Sequence, residues 1–286
     1  MGLSVVVPCY NAADTVGEQL SALRRQEWTD EWEVVVVDNL STDRTRQVVA
    51  AFARGWDALR IVDAVDVQSA SHARNVGVRA SLHSSIAVCD ADDVVAPGWV
   101  AAMGEALRTH ELVAGRVDVD SLNPAWLAAS RGRPDDGIER FCGVFPRLPG
   151  CNLGFRRELW QRLGGYDESF SPREMVEDLD LGLRAWKAGV EPFCVPDAVV
   201  HYRYRRDLKG LWRQGRSYGR GRARMASALR QIGCSVPRFP GWRSWLWLLV
   251  KAPLAFTPNR FKAWVWVLAN RLGHLEGSAR YRLIHI

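Results

Sequence analysis

The chain has 286 residues, 48% of them hydrophobic and 24% charged, with a formal net charge of +6. That length supports one large domain or a domain with an appendage, and the composition is that of a soluble globular protein. Its six cysteines (Cys9, Cys89, Cys142, Cys151, Cys194 and Cys234) form no C-x-x-C pair, which argues against a zinc site or a disulfide framework and for a reducing compartment.

Charge is unevenly placed. Residues 201–286 hold 18 Lys and Arg against two acids, Asp207 and Glu276, whereas the first 200 residues hold 20 basic and 30 acidic side chains. Such asymmetry points to a basic region that meets nucleic acid or an anionic membrane. Met1 runs almost directly into an apolar strand, so no signal peptide is expected. No uninterrupted run reaches the roughly 18 apolar residues of a spanning helix. The expected location is cytoplasmic.

In chain order, Leu3 to Pro8 reads as a first strand and Asp14 to Gln26 as a helix. Glu33 to Val37 is a second strand with Asp38 at its end, followed by a helix from Thr42 to Arg54 that Ser41 or Thr42 caps. Leu59 to Asp63 is a third strand, His72 to Ser81 a helix, and Ile86 to Cys89 a fourth strand. A helix from Pro97 to His110 and a strand from Leu112 to Val119 follow. Alternating helices and nearly continuous apolar strands predict an α/β fold whose mostly parallel sheet is covered on both faces. Residues 123–150 are rich in Gly, Pro and charge and read as a functional loop. Further strands are expected at Cys151 to Phe155, Phe193 to Val195 and Val199 to Tyr204, with a helix from Arg173 to Ala188. A basic helix from Leu208 to Gln231, a Pro/Gly linker and two short Trp-bearing helices close the chain, and no internal repeat is visible.

The chemistry concentrates at strand ends. Ile86 to Cys89 breaks into Asp90-Ala91-Asp92-Asp93, three carboxylates within four residues. Crowded acids need a cation among them, and Mg²⁺ is usually held by one or two carboxylates plus substrate phosphates. A solvated acidic turn capping the next helix is the competing reading. Asp38 and the turn Pro8-Cys9-Tyr10-Asn11 stand at the ends of two other strands, where open α/β sheets bind ligands. No G-x-G-x-x-G and no G-x-x-x-x-G-K-[ST] is present, which excludes a glycine cradle for a nucleotide. Leu179, Leu183 and Trp186 fall at helical spacing, placing Glu177 and Asp178 at a helix start, where the dipole favours carboxylates.

V-V-V-P-C-Y-N, V-V-V-V-D-N-L-S-T-D, A-R-N-V-G and C-D-A-D-D, in this order, resemble the motifs of the family 2 inverting glycosyltransferases of GT-A fold, over roughly residues 3–204. The resemblance implies that Tyr10, with Pro8 and Asn11 beside it, and Asp38 hold the nucleotide base. It implies that Arg74 and Asn75 reach the nucleotide side, and that Asp90-Ala91-Asp92 meets the donor. There Asp90 contacts ribose, Asp92 holds Mn²⁺ or Mg²⁺, and Asp93 supports them. Asp178 is the implied catalytic base, with Glu177 the second choice, and Asn152 is the implied sugar contact. His201 stands where relatives place a histidine beside the diphosphate or metal. Where the family has Asp-Gly-Ser, this chain has Asn39-Leu40-Ser41. The Q-x-x-R-W motif of processive members is matched only by Gln214 and Arg216, without the Trp.

The expected division is a GT-A catalytic domain over residues 1–204 and a basic, Trp-rich helical extension over 205–286. Trp and basic flanks suit a helix lying on an anionic membrane at its inner face, while packing on the catalytic domain or a homodimer contact is the alternative. The expected partners are a nucleotide-diphosphate-sugar donor and a hydroxyl acceptor, read as a lipid-linked or cell-envelope glycan intermediate with a soluble small molecule as the alternative, and no nucleic acid. Two rivals are a nucleotidyltransferase of sugar phosphates, which lacks its Gly-rich basic loop here, and a non-catalytic membrane- or nucleic-acid-binding protein, which leaves the acids unexplained.

Overall fold

The computed structural model describes residues 2–131, 138–170, 174–237, 241–252 and 257–283. Four strands set the frame: β1 (Leu3–Cys9), β2 (Trp32–Asp38), β3 (Leu59–Asp63) and β4 (Ser85–Cys89). They pair in parallel in the order β3-β2-β1-β4. Helices α1 (Val16–Arg24), α2 (Thr45–Ala53) and α3 (Ala70–Ala80) connect them. Successive strand residues face opposite sides, so runs of valine supply both cores at once. Val5, Val7, Val34 and Val36 pack with Leu20 and Leu23 of α1 on one face. Val6, Val35 and Val37 pack with Ala73 and Val78 of α3 on the other. Gly77 lets α3 lie this close, since a Cβ there would stand 2.4 Å from Val6 Cγ1.

Beyond β4 the sheet is mixed. The next elements are β5 (Val94–Val95), α4 (Trp99–Ala106), β6 (Leu112–Asp118), β9 (Asn152–Arg156), α6 (Arg157–Leu163), α7 (Glu177–Lys187) and β10 (Phe193–His201). Strand β9 inserts antiparallel between β4 and β6, β10 runs parallel to β6, and β5 pairs antiparallel with the end of β10. The two strands expected at 193–195 and 199–204 are one, with a register shift between Val195 and Val199. Residues 123–150 are not one loop: they hold α5 (Ala125–Arg131) and a hairpin of β7 (Arg140–Phe141) and β8 (Phe145–Pro146). The expected helix start at Arg173 lies outside the described residues, and the helix itself begins at Glu177. Glu174, ahead of that start, is tied to the C-terminal helices. Its side chain, 1% exposed, pairs with Arg224 at 3.0 Å and accepts a 2.5 Å hydrogen bond from the Tyr281 hydroxyl.

Helix α8 (Leu208–Gln231) begins at Asp207, whose side chain accepts from the Gly210 N–H at 2.7 Å. After α9 (Trp242–Lys251), α10 (Pro258–Arg280) forms a single helix of 23 residues where a short one is expected. α8 and α10 run parallel, because Gly215 faces Ala269, Gly219 faces Asn270 and Gly273, and Ala223 faces Gly277. Small residues every fourth position bring the two backbones together. Met225 and Leu229 of α8 then join Phe145, Val176, Leu179 and Leu183 in a third core, which fixes α8 against α7.

Candidate active site

Because β2, β1 and β4 are neighbours, the turn after β1, Asp38 and the acids after β4 share one sheet edge. A cleft of about 1380 Å³ opens there. Pro8, Tyr10, Asn11, Arg74, Asp90, Ala91, Asp92, Glu177 and Asp178, all singled out from sequence, line it. Tyr10 is 51% exposed, so one face of its ring is available for stacking. Asn11 sits at φ 48° and orders the turn, its side-chain oxygen accepting from the Thr42 N–H at 2.8 Å.

The loop after β4 is braced from both sides. Gln19, fully buried in α1, donates to the Asp90 carbonyl at 3.1 Å and accepts from the Val95 N–H at 3.0 Å. The Arg203 N–H donates to Asp93 Oδ1 at 2.7 Å, and Arg203 Nε donates to the Asp92 carbonyl at 2.9 Å. Carboxylate oxygens of Asp90, Asp92 and Asp93 lie within 4.8 Å of one another. Burial, opposed by Arg74, lifts the Asp90 carboxyl to about 6. Burial also raises Asp92, against Arg205 and Arg203, and raises Asp93 well above the carboxylate range with help from its two neighbours. Asp93 Oδ2 is buried without a hydrogen-bond partner among the described residues. Three mutually repelling oxygen donors, one of them unsatisfied, fit a hard divalent cation.

Arg74 joins this loop to α7. It is 4% exposed, donating from one nitrogen to Glu177 Oε1 at 2.7 Å and from another to Asp90 Oδ1 at 3.0 Å. Asp178 follows Glu177 at the helix start, its Oδ1 accepting from the Leu179 N–H at 2.8 Å. Burial, then the charge of Glu177, raises the Asp178 carboxyl to about 6. An acid poised there is a base at neutral pH with its proton affinity kept high.

Four candidates stand outside the cleft lining. Asn152 is fully buried, donating to the carbonyls of Arg116 and Ala198 at 2.8 Å each and accepting from Trp99 Nε1 at 2.8 Å; it ties β9 to β6 and β10, and the geometry gives it no sugar to touch. Asn75 donates to the Tyr166 carbonyl and to Glu168 at 2.8 and 2.7 Å, anchoring the turn after α6. His201 faces Asp118, with Nδ1 2.6 Å from its Oδ2, and is not among the clustered metal-type ligands of the described residues. Asp38 accepts from the Ser41 N–H at 3.2 Å just behind the cleft. Leu40, at the position of the family glycine, takes φ 63°. Arg203 and Arg205 brace the acids without having been singled out individually. Tyr218 and Arg222, also on the lining, belong to the expected basic helix without having been singled out there, Tyr202 follows His201, and Arg147 carries no motif that reveals it.

The sheet order, the acids at its edge and the structural likenesses define a protein of GT-A-like fold. The mannosyltransferase PcManGT of Pyrobaculum calidifontis, solved with GDP-Man and Mn²⁺, has a TM-score of 0.60 at 21% identity, covering 96% of this chain and 86% of that one. S. aureus TarS 1–349 in complex with UDP-GlcNAc has a TM-score of 0.56 at 15% identity, covering 99% and 93%. The profile described as Glycosyl transferase family 2 matches residues 4–164, and that of Glycosyl transferase family group 2 matches 85–273. The chain belongs to glycosyl transferase family 2. The probable glycosyltransferase YdaM of Bacillus subtilis (strain 168) is 26% identical over 238 residues, 77% of this chain and 54% of the relative. The succinoglycan biosynthesis protein ExoA of Rhizobium meliloti (strain 1021) is 28% identical over 261 residues, 88% of this chain and 76% of the relative. The chain thus spans about half the length of some curated relatives, such as YdaM, and three quarters of ExoA.

Proposed function

We propose that this chain transfers one sugar from a nucleotide-diphosphate donor to an acceptor hydroxyl, with inversion and with a divalent cation. The observation that carries the reading is Arg74, which couples Asp90 of the acid loop to Glu177 beside Asp178, so that both acidic groups open on one cleft. On this reading residues 1–204 carry the catalytic sheet and α8 closes one wall of its cleft. Tyr10 stacks on the base, and Arg205, 3.8 Å from Asp92, faces the diphosphate. Asp178 takes the proton from the acceptor hydroxyl as its oxygen attacks the anomeric carbon. The bond from that carbon to the diphosphate oxygen breaks on the opposite face, which inverts the centre. Asp90, Asp92 and Asp93 would hold Mn²⁺ or Mg²⁺, which when bound neutralises charge on the departing diphosphate. The acceptor is read as a lipid-linked or cell-envelope glycan, because α9 presents Trp242, Leu246, Leu249 and Val250 to the outside with Arg243 and Lys251 among them.

The test is thermal stabilisation by UDP, GDP, dTDP, ADP and CDP, each with Mn²⁺ or EDTA. A ligand at 100 times its dissociation constant adds about 2.7 kcal/mol. A cation-dependent shift with one base, lost in Asp92→Ala, is the expected result. Absence of a shift with every nucleotide overturns the reading.

A further inference from the structure

The same cleft carries a second set of charges that the donor does not need. Arg131, Arg147, Arg213 and Arg222 reach its lining from α5, from the segment after β8 and from α8. Asp178 and Arg222 both feel the charge of Arg147, whereas the cations felt by the acid loop are Arg74, Arg203 and Arg205. The segment that carries Arg147 packs on the proposed base, since a Cβ on Gly150 would stand 3.2 Å from the Asp178 Cβ, so this side of the cleft adjoins Asp178. An acceptor hydroxyl must sit at that base, so whatever is attached to the hydroxyl lies against these arginines.

Among the described residues their neutralisation is incomplete, Glu139 being the one acid whose charge Arg222 feels. Arg222 donates to Asn270 Oδ1 at 3.4 Å, and Arg271 donates to the same neutral oxygen at 3.2 Å. Arg131 stacks on the Trp266 ring, 3.2 Å from its centroid, and its Nε and Nη2 are buried without hydrogen-bond partners among the described residues. Arg147 pairs with Glu139 at 3.1 Å, both side chains nearly half exposed. Three other arginines of α8 are matched to acids: Arg216 and Arg220 to Glu276, and Arg224 to Glu174. Burial, with Arg147 and Arg271 adding to it for Arg222, lowers Arg131 and Arg222 to about 10. Three guanidinium groups served by the single half-exposed carboxylate of Glu139 are unfavourable where they are desolvated, and guanidinium forks recognise phosphate and carboxylate in a bidentate way.

We propose that Arg131, Arg147 and Arg222 form an acceptor subsite for an anionic oxygen group, phosphate or carboxylate, carried close to the hydroxyl that receives the sugar. The assignment rests on the transferase reading, with Asp178 as the base. Two sources share this chemistry: a lipid phosphate and an acidic glycan.

The full chain is first loaded with Mn²⁺ and the nucleoside diphosphate that stabilises it. It is then titrated calorimetrically with geranyl phosphate, geraniol, a glucuronate-bearing disaccharide and its neutral glucose counterpart. One anionic probe is expected to bind and its neutral counterpart to fail; geranyl phosphate would identify a lipid phosphate, the glucuronate an acidic glycan. Arg222→Gln and the more exposed Arg147→Gln should each weaken that probe about tenfold or more while the nucleotide shift stays unchanged. A loaded chain that binds neither anionic probe overturns the proposal, as do variants that bind as tightly as the parent, or displacement of the probe by the nucleotide. A chain that ignores every nucleotide defeats the transferase reading and the acceptor role with it. One that takes a nucleotide but no anionic probe defeats the subsite alone.

Discussion

Arg74 donates to Asp90 from one nitrogen and to Glu177 from another, and its removal leaves two carboxylates facing each other with no cation between them. Breaking a buried pair from one side costs about 3–5 kcal/mol. Arg74→Ala is expected to lose stability of that order in urea denaturation, and Arg74→Lys, with a single point charge, to recover only part of it. Asp178 carries a pH signature of its own. Burial holds its carboxyl at about 6 in the folded chain against an ordinary aspartate value of 3.8. The folded state thus holds this proton to higher pH than the unfolded state does. Its stabilising contribution is present below pH about 4 and is lost as pH climbs through about 6. Asp178→Asn should flatten that slope and exceed the parent in stability at pH 7 by roughly 1–2 kcal/mol, as followed by thermal unfolding across pH. The same substitution should lower kcat by about 10²–10⁴-fold with the nucleotide shift retained. In the parent, kcat/KM should fall on the acid side of pH about 6.

At the scale of elements, the strand-end chemistry was legible because a parallel sheet delivers its polar turns at one edge, so four motifs in order sufficed to bring the residues on one side of the cleft together. The order of the sheet beyond β4 was not. β9 reads as an apolar run whichever way it points, and only its register against β4 and β6 shows that it is antiparallel. The reversal sets Asn152 beside Cys89 at the edge that carries the acids, where its amide is taken up by the Arg116 and Ala198 carbonyls and the Trp99 indole. The partners of Asn75 were hidden for a related reason: Tyr166 and Glu168 lie some 90 residues away, and no local pattern announces them. Leu40 carries the backbone shape of the family glycine without the glycine, held by a turn that Asn39 and Asn11 tie down. The parallel contact of α8 and α10 was legible only as scattered small residues. A Cβ on Gly219 would stand 2.2 Å from the Asn270 carbonyl oxygen, and one on Gly273 2.1 Å from that of Arg216. Gly219→Leu should therefore lose roughly 1–3 kcal/mol in chemical denaturation. Gly17→Ala, whose Cβ meets Phe52 at an ordinary 3.7 Å, should gain about 0.4–1 kcal/mol.

Taken as a whole, the molecule is acidic where the donor is read to bind and basic along its helical extension. No helix among the described residues is long and apolar enough to cross a membrane. Yet α9 leaves Trp242 59%, Leu249 75% and Val250 58% exposed, next to Phe261 at 42% on α10. Each cation near an anionic leaflet contributes about 1 kcal/mol. The chain is expected to sediment with vesicles containing phosphatidylglycerol and not with pure phosphatidylcholine. Trp247→Glu combined with Leu249→Glu should abolish this while leaving the nucleotide shift intact. A chain that ignores both vesicles and instead forms a dimer dissociated by the same pair of substitutions would make this face a subunit contact.

The parallel course of α8 and α10 obliges the intervening chain to travel back along the pair, and α9 lies on that return path. The far end of α10 then reaches Glu174, where Tyr281 and Arg280 close on the residue three positions ahead of the α7 acids. Chains emerge from the ribosome N-terminus first, and their domains begin to fold as they do. The sheet and its aspartates can thus form while the support for Glu177 and Asp178 is still being synthesised. On the proposed reading, a nascent chain could take up a nucleotide before the helix start that carries Asp178 is held in place.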